Sequence, residues 1–188
     1  IWDEQGPGDQ TMCSLFFNKP LGNFKEIIIL CDPRLQGIFS RCFDKNITFL
    51  PNDYDIKKIQ YDEHLSMFGL LKYYAKQDQD PKTNGVILKF DDDEVNRIKG
   101  KLKGEKKICG ISWFSENNQS GKDRSYSLLN FIKSFGNSMH DYVYINLQYN
   151  SSIEEISQVS RKLGVTIYND DEIDLFNDID GLLNLAGA

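Results

Sequence analysis

The sequence predicts an α/β protein, and three observations carry that expectation. Short β-branched runs alternate with helical patterns, the mark of βαβ units around a parallel sheet. The alternation occurs twice, once before and once after a strongly charged stretch. The composition, 40% hydrophobic, 12% aromatic and 27% charged over 188 residues, is that of an ordinary folded chain. That length holds one domain or two of roughly 90 residues. The expected division is a first lobe over 1–95, a linker over 96–106 and a second lobe over 107–188, with a cleft between the lobes where open α/β sheets take their ligands.

In the first lobe, the apolar pair Ile1-Trp2 leads through a glycine turn into a helix over 11–17. In the run EIIILC at 26–31, the five residues after Glu26 are continuously apolar, which suits a strand buried on both faces. Asp32-Pro33 stops it and opens a helix whose Leu35, Ile38, Phe39 and Cys42 share one face. ITFL at 47–50 is the next strand, ended by Pro51, and 62–76 reads as a helix followed by a polar loop over 77–84. From 91 to 107 only Val95, Ile98 and Leu102 are apolar, at helical spacing, so a surface linker helix is expected there. Its lysines, Lys99, Lys101, Lys103, Lys106 and Lys107, are read as solvated linker charge rather than a phosphate patch.

The second lobe opens with a strand over 107–113 and a polar loop over 117–123. A helix over 127–135, a strand over 142–147, an amphipathic helix over 153–163 stopped by Gly164, and a strand over 165–168 follow in order. A last helical pattern begins near Asp178.

Charge and cysteine usage exclude several function classes. Twenty-two Lys and Arg against 28 Asp and Glu leave a net charge of −6, and the pI is near 5.0. No global field draws a nucleic acid. Cys13, Cys31, Cys42 and Cys109 are widely spaced in or beside apolar runs, the pattern of buried thiols in a reducing compartment. With only His64 and His140, no metal site is expected. No apolar stretch approaches the ~18 residues of a membrane span, and no basic-then-apolar leader opens the chain. A cytoplasmic protein is expected. The opening Ile-Trp-Asp-Glu lacks a Met and the last residues stop within a helical pattern, so the chain reads as a piece of a longer one.

The sharpest local feature is EQGPGDQ at 4–10. Gly6 and Gly8 permit a tight turn and a close ligand approach, and a helix N-terminus behind them favours anions. Asp9 has two readings, a helix cap or a carboxylate at a cleft mouth that takes a proton from a hydroxyl. The motif is neither GxGxxG nor a P-loop. In the second lobe, Ser112 ends a strand, and Lys122 and Arg124 follow in the next loop, a plausible diphosphate cradle or a merely solvated loop. Gln148 and Tyr149, at the end of another strand, suit a base and ribose or simply close that strand. The acidic segment 170–180 reads as turn chemistry and capping.

Taken together, EQGPGDQTMCSLFF, CDPRLQGIFSRCF, GISWFS with GKDRSYSLLNF, NLQYN and NDIDGLLNLAGA resemble, in order and spacing, the glycosyltransferase-like domain that follows tetratricopeptide repeats in many bacterial proteins. That domain is similar to the heptosyltransferase family of GT-B glycosyltransferases. The resemblance implies two Rossmann-like lobes, acceptor binding in the first and a nucleotide-sugar donor held mainly by the second. It implies that Asp9 is the general base, that Arg124 with Lys122 faces the donor diphosphate, that Ser112 lies at the same phosphates and that Gln148 and Tyr149 lie near the nucleotide. Inverting, metal-independent transfer without a cofactor follows, with the acceptor unspecified, no nucleic acid and no membrane span, and with tetratricopeptide repeats upstream in a longer chain. Frequent Lys, Asn and Ile suit an AT-rich bacterial genome.

Two departures bear on it. The loop after YVYINL carries Asn150-Ser151-Ser152 where heptosyltransferases have a Glu, and the chain stops at Leu185-Ala186-Gly187-Ala188 where the family continues into a strand and a Thr/His loop. The second lobe therefore reads as truncated. The alternative function is a non-catalytic binding or scaffold module, a degenerate relative without the donor loop. A nucleotide-dependent oxidoreductase fits less well, because the glycine turn lacks its third glycine.

Overall fold

The runs at 27–31 and 47–51 lie side by side, the first buried from Ile29 to Cys31 and the second alternating, with Ile47 and Phe49 buried and Thr48 exposed. The computed structural model describes residues 1–17, 24–75, 88–102, 104, 106–116 and 121–188, without the side chains of Ala75 and Lys122. The protein is mixed α/β, with two small parallel sheets in two compact units, Ile1–Lys89 and Phe90–Ala188. The polar loop expected at 77–84 lies outside the described residues.

In the first unit, helix α1 (Pro7–Cys13) runs into a 3-10 turn at Ser14–Phe16. Strand β1 (Ile27–Cys31), helix α2 (Pro33–Cys42), strand β2 (Ile47–Pro51) and helix α3 (Met67–Ala75) follow. Strands β1 and β2 pair in parallel, Ile29 opposite Phe49. Asp32 caps α2 by accepting from the Arg34 N–H, and Pro33 supplies the fixed φ of a first helical residue. Packed under this sheet, Phe17, Phe39, Phe43 and Phe49 form an aromatic cluster with ring centroids as close as 5.4 Å. Cys13, Cys31 and Cys42 are buried free thiols, and burial pushes the Cys31 thiol up to about 12.

In the second unit, helix α4 (Asp92–Lys101) precedes strand β3 (Lys107–Ile111) and helix α5 (Leu128–Lys133). Strand β4 (Tyr142–Asn146), helix α6 (Ile153–Leu163), strand β5 (Thr166–Tyr168) and helix α7 (Ile179–Gly187) complete it. The sheet order is β3-β4-β5, all parallel. One face packs Ile111, Trp113, Leu128, Ile132, Tyr144, Ile156, Val159 and Val165. The other packs Ile98, Leu102, Ile145 and Leu185. Gly164, at φ +64°, ends α6 in the left-handed conformation, as its place in the sequence predicts. Gly110 in β3 is a close approach: a Cβ there would lie 2.5 Å from Leu147 Cδ1.

One element departs from its expected place. The helix at 92–101, read as a surface linker, belongs to the second unit, and the division falls at Lys89/Phe90. Val95 and Ile98 bury its apolar stripe, and Ile98 packs with Ile145 and Leu185. Part of its charge is paired: Arg97 bridges Glu94, Asp170 and Glu172, and Lys101 reaches Asp170 and Glu172 at 3.6 Å each, whereas Lys99, Lys106 and Lys107 are exposed and make no ion pair among the described residues. Of the lysine block, Lys103 lies outside the described residues.

The Asp170 side chain is 1% exposed. Burial pushes its carboxyl up, but the Tyr168 hydroxyl, the Glu172 N–H, Lys101 and Arg97 together outweigh that and hold it below the usual carboxylate range. A carboxyl depressed in the folded state stabilises fully above its unfolded value and loses that stabilisation as pH falls through the folded one. Urea titrations of the native chain and Asp170→Asn should therefore differ at pH 7 and converge below about pH 4. Separately, Ile98→Ala should cost about 2–5 kcal/mol, because the cavity opens in a fully buried site; a loss under 1 kcal/mol would mean that α4 is not docked as described.

Candidate functional site

In the first unit the sheet extends beyond its two full strands. The Ile1 nitrogen donates to Ile28 O at 2.7 Å and Leu30 N donates to Ile1 O at 2.9 Å, which sets Ile1-Trp2 alongside β1. On its far side Trp2 bridges Ser66 in parallel, with Trp2 N donating to Leu65 O and Met67 N to Trp2 O. From Ile1-Trp2 the chain adds β1 and then β2 on one side, and returns to the other side at Ser66. The strand order reverses at Ile1-Trp2, and the loop leaving its carboxyl end is the EQGPGDQ segment. Crevices at such reversals are where open α/β sheets bind ligands.

The buried Gln10 holds that segment. Its Nε2 donates to Asp3 Oδ2 at 3.0 Å and to Gln5 O at 2.8 Å, while its Oε1 accepts the Asp32 N–H at 2.8 Å. Asn52 Nδ2 donates to the same Asp3 oxygen at 2.9 Å, so one carboxylate and two amides tie the ends of three neighbouring strands. Glu4 accepts the Phe68 N–H at the start of α3. Asp32 and Arg34 form a two-pronged ion pair.

Asp9 does not cap the helix. Pro7 starts α1 four residues before the expected helix, Gly6 is the N-cap, and Asp9 sits in the first turn. Its carboxylate is exposed and makes no hydrogen bond or ion pair among the described residues. Methyl groups at Gly6 or Gly8 would meet nothing within 4 Å, so the fold leaves open space beside both. With only seven residues and its own acid in the first turn, α1 does not make the anion site expected of a helix N-terminus here.

In the second unit, the carboxyl ends of β3 and β4 meet at Gln148, whose side chain is fully buried. Its Oε1 accepts three donors: Ser112 Oγ at 2.8 Å, Trp113 N at 3.0 Å and Phe114 N at 3.0 Å. Its Nε2 donates to Tyr149 O at 3.0 Å. Beside it Asn146, also buried, accepts the Gln148 N–H and donates to Ser151 Oγ and Asn169 Oδ1. Asn150, at φ +54°, donates to Glu116 at 2.9 Å. The Tyr149 and Phe176 rings lie 5.6 Å apart, and the Phe176 ring is half exposed.

The expected donor residues are thus brought together in part. Ser112, Gln148 and Tyr149 share one strand-end cluster, but Ser112 and Gln148 are bonded to each other. Arg124 lies in the 3-10 turn Lys122–Arg124, exposed and without an ion pair among the described residues. Tyr126 N donates to Trp113 O and Ser115 N donates to Ser125 Oγ, which draws that turn to the end of β3. The Lys122 side chain and residues 117–120 lie outside the described residues. Among the described residues no cluster of three or more His, Cys, Asp or Glu is arranged to hold a metal, and no helix is long and apolar enough to cross a membrane.

Sequence reading gives no role to two residues that organise these edges, Gln10 and Asn146. The available signals are different: Gln10 closes the EQGPGDQ turn, and Asn146 is a polar amide inside the apolar YVYINL. Gln10→Leu should strand the Asp32 N–H and one Asp3 acceptor, lowering stability by about 1–3 kcal/mol. Thermal unfolding of the purified variant checks this, and an unchanged midpoint would mean water replaces the amide at no cost.

No protein-family model, no curated protein and no solved structure matches the chain.

Proposed function

We propose that the chain is a transferase-type domain of GT-B architecture that moves a sugar from a nucleotide-sugar donor to an acceptor hydroxyl, inverting and metal-independent. On this reading each unit is a Rossmann-like lobe of a bacterial cytoplasmic protein, with tetratricopeptide repeats upstream. The observation that carries it is the exposed, unpaired Asp9 carboxylate directly after the reversal of strand order in the first unit. A carboxylate kept free of internal partners is available to take the acceptor proton.

Charge at the leaving diphosphate must be met by fixed positive groups and dipoles. Arg124, an unpaired cation at the end of β3, supports this part of the reading, and Lys122 in the same turn is assigned the same role. Tyr149, with Phe176 against it, offers a ring face to the nucleotide. The bond between Ser112 and Gln148 supports a second reading, a non-catalytic binding or scaffold module, because two assigned donor contacts already satisfy each other.

Calorimetry with a panel of nucleoside diphosphates and nucleotide sugars tests the donor half. One nucleotide should bind saturably, and Arg124→Ala should weaken it by about 1.5–3 kcal/mol, the value of a hydrogen bond to a charged group. Asp9→Asn should keep donor binding and slow transfer by a factor of about 10²–10⁴. Binding without any transfer to hydroxyl acceptors would favour the module, and no binding across the panel would sink both donor roles.

A further inference from the structure

Three donors converge on one oxygen at the end of β3, two of them backbone N–H groups and the third a side-chain hydroxyl. The hydroxyl of Ser112 and the successive N–H groups of Trp113 and Phe114 all point at Gln148 Oε1, each within 3.0 Å. Successive N–H groups with an adjacent hydroxyl form the kind of concavity that takes anionic oxygens. In the first unit, by contrast, Gln10 Oε1 takes the single N–H of Asp32, and its Nε2 makes two further bonds. Gln10 is a staple between segments. Gln148 is bound almost wholly through one neutral oxygen seated in a triple-donor nest.

We propose that Ser112, Trp113 and Phe114 form an oxyanion nest for a phosphate group, and that the Gln148 carboxamide is a displaceable plug occupying it in the unliganded protein. The proposal rests on the donor reading above and adds its regulation. Gln148 is held from its other side by a single side-chain bond, Nε2 to Tyr149 O. A charged phosphate oxygen makes hydrogen bonds roughly twice as strong as a neutral amide carbonyl does, so it outcompetes the plug for the same donors. Ser112 is an exposed residue at one side of the nest, whereas Gln148 is fully buried. Arg124 is carried on the turn tied to Trp113 and Ser115, and supplies a cation at that rim. Glu116 stands nearby but is engaged by Asn150.

The plug makes donor affinity conditional. Binding must first expel the side chain, so the protein holds phosphate less tightly than its nest allows, and a variant without the plug holds it more tightly. The test is a titration of the full, 15N-labelled chain with inorganic pyrophosphate, reading the Trp113 and Phe114 backbone amides and the Gln148 side-chain amide. All three should move along one saturable curve. By calorimetry, Gln148→Ala should bind pyrophosphate about tenfold tighter, and adding Ser112→Ala should remove most of that gain.

Pyrophosphate that leaves the Trp113 and Phe114 amides unmoved overturns the proposal. So does a Gln148→Ala affinity no better than that of the native chain. Should Gln148→Ala fail to fold, the native chain decides: a Gln148 side-chain amide that stays still while the two backbone amides shift rules out displacement. Nucleotide sugar that binds without disturbing those two amides keeps the donor reading and overturns the nest. Pyrophosphate held in the nest by a chain that binds no nucleotide sugar does the reverse.

Discussion

A parallel strand that ends inside a protein leaves peptide N–H and C=O groups without ladder partners, and each must be paired or hydrated. Three buried side-chain amides meet this constraint. Gln10 takes the N–H of the residue after β1, Gln148 takes the two that follow Ser112, and Asn146 takes the N–H of Gln148 itself. Among the described residues no buried side-chain polar atom is left without a partner. Loops at the carboxyl edges are thereby fixed, and the exposed groups that ride on them, Asp9 in one unit and Arg124 in the other, inherit defined positions.

The same constraint explains why the polar residues at these edges divide into two kinds. Those with amide or hydroxyl groups are drawn inward, because a neutral side chain can both donate and accept and loses less on leaving water than a charge does. Charged side chains remain at the rim or are matched. Asp32 meets Arg34, and the buried Asp170 is surrounded by Tyr168, Lys101 and Arg97. Asp9 and Arg124 remain at the rim, exposed and without an ion pair among the described residues.

Helix α4 shows how pattern and packing part company. Its sequence from 91 to 107 is nearly all charged, which is why it reads as a linker. Yet a short amphipathic helix needs only a narrow apolar stripe to dock, and Val95, Ile98 and Leu102 supply one. Arg97 and Lys101 then find partners on the segment after β5, contacts that span 73 and 69 residues of sequence and that no local spacing reveals.

Much of the architecture was legible in the chain itself. Alternating apolar runs and helical periods marked β1, α2, β2, β4, α6 and β5 within a few residues, because burial on both faces of a parallel strand and on one face of a helix writes directly into hydrophobic order. Gly164 and Asp32-Pro33 marked ends for local reasons, a left-handed backbone at the first and a side-chain cap followed by a proline without an N–H at the second. Asp9, Ser112, Arg124 and Gln148 were visible as polar residues at element ends. Only tertiary structure decided which partners they meet. It joined Ser112 to Gln148 across 36 residues, left Asp9 unpaired, and gave α4 to the second unit. Local periodicity records which face of an element is buried, whereas the partner of a polar group depends on which strand ends are brought side by side, and that is a property of the sheet order.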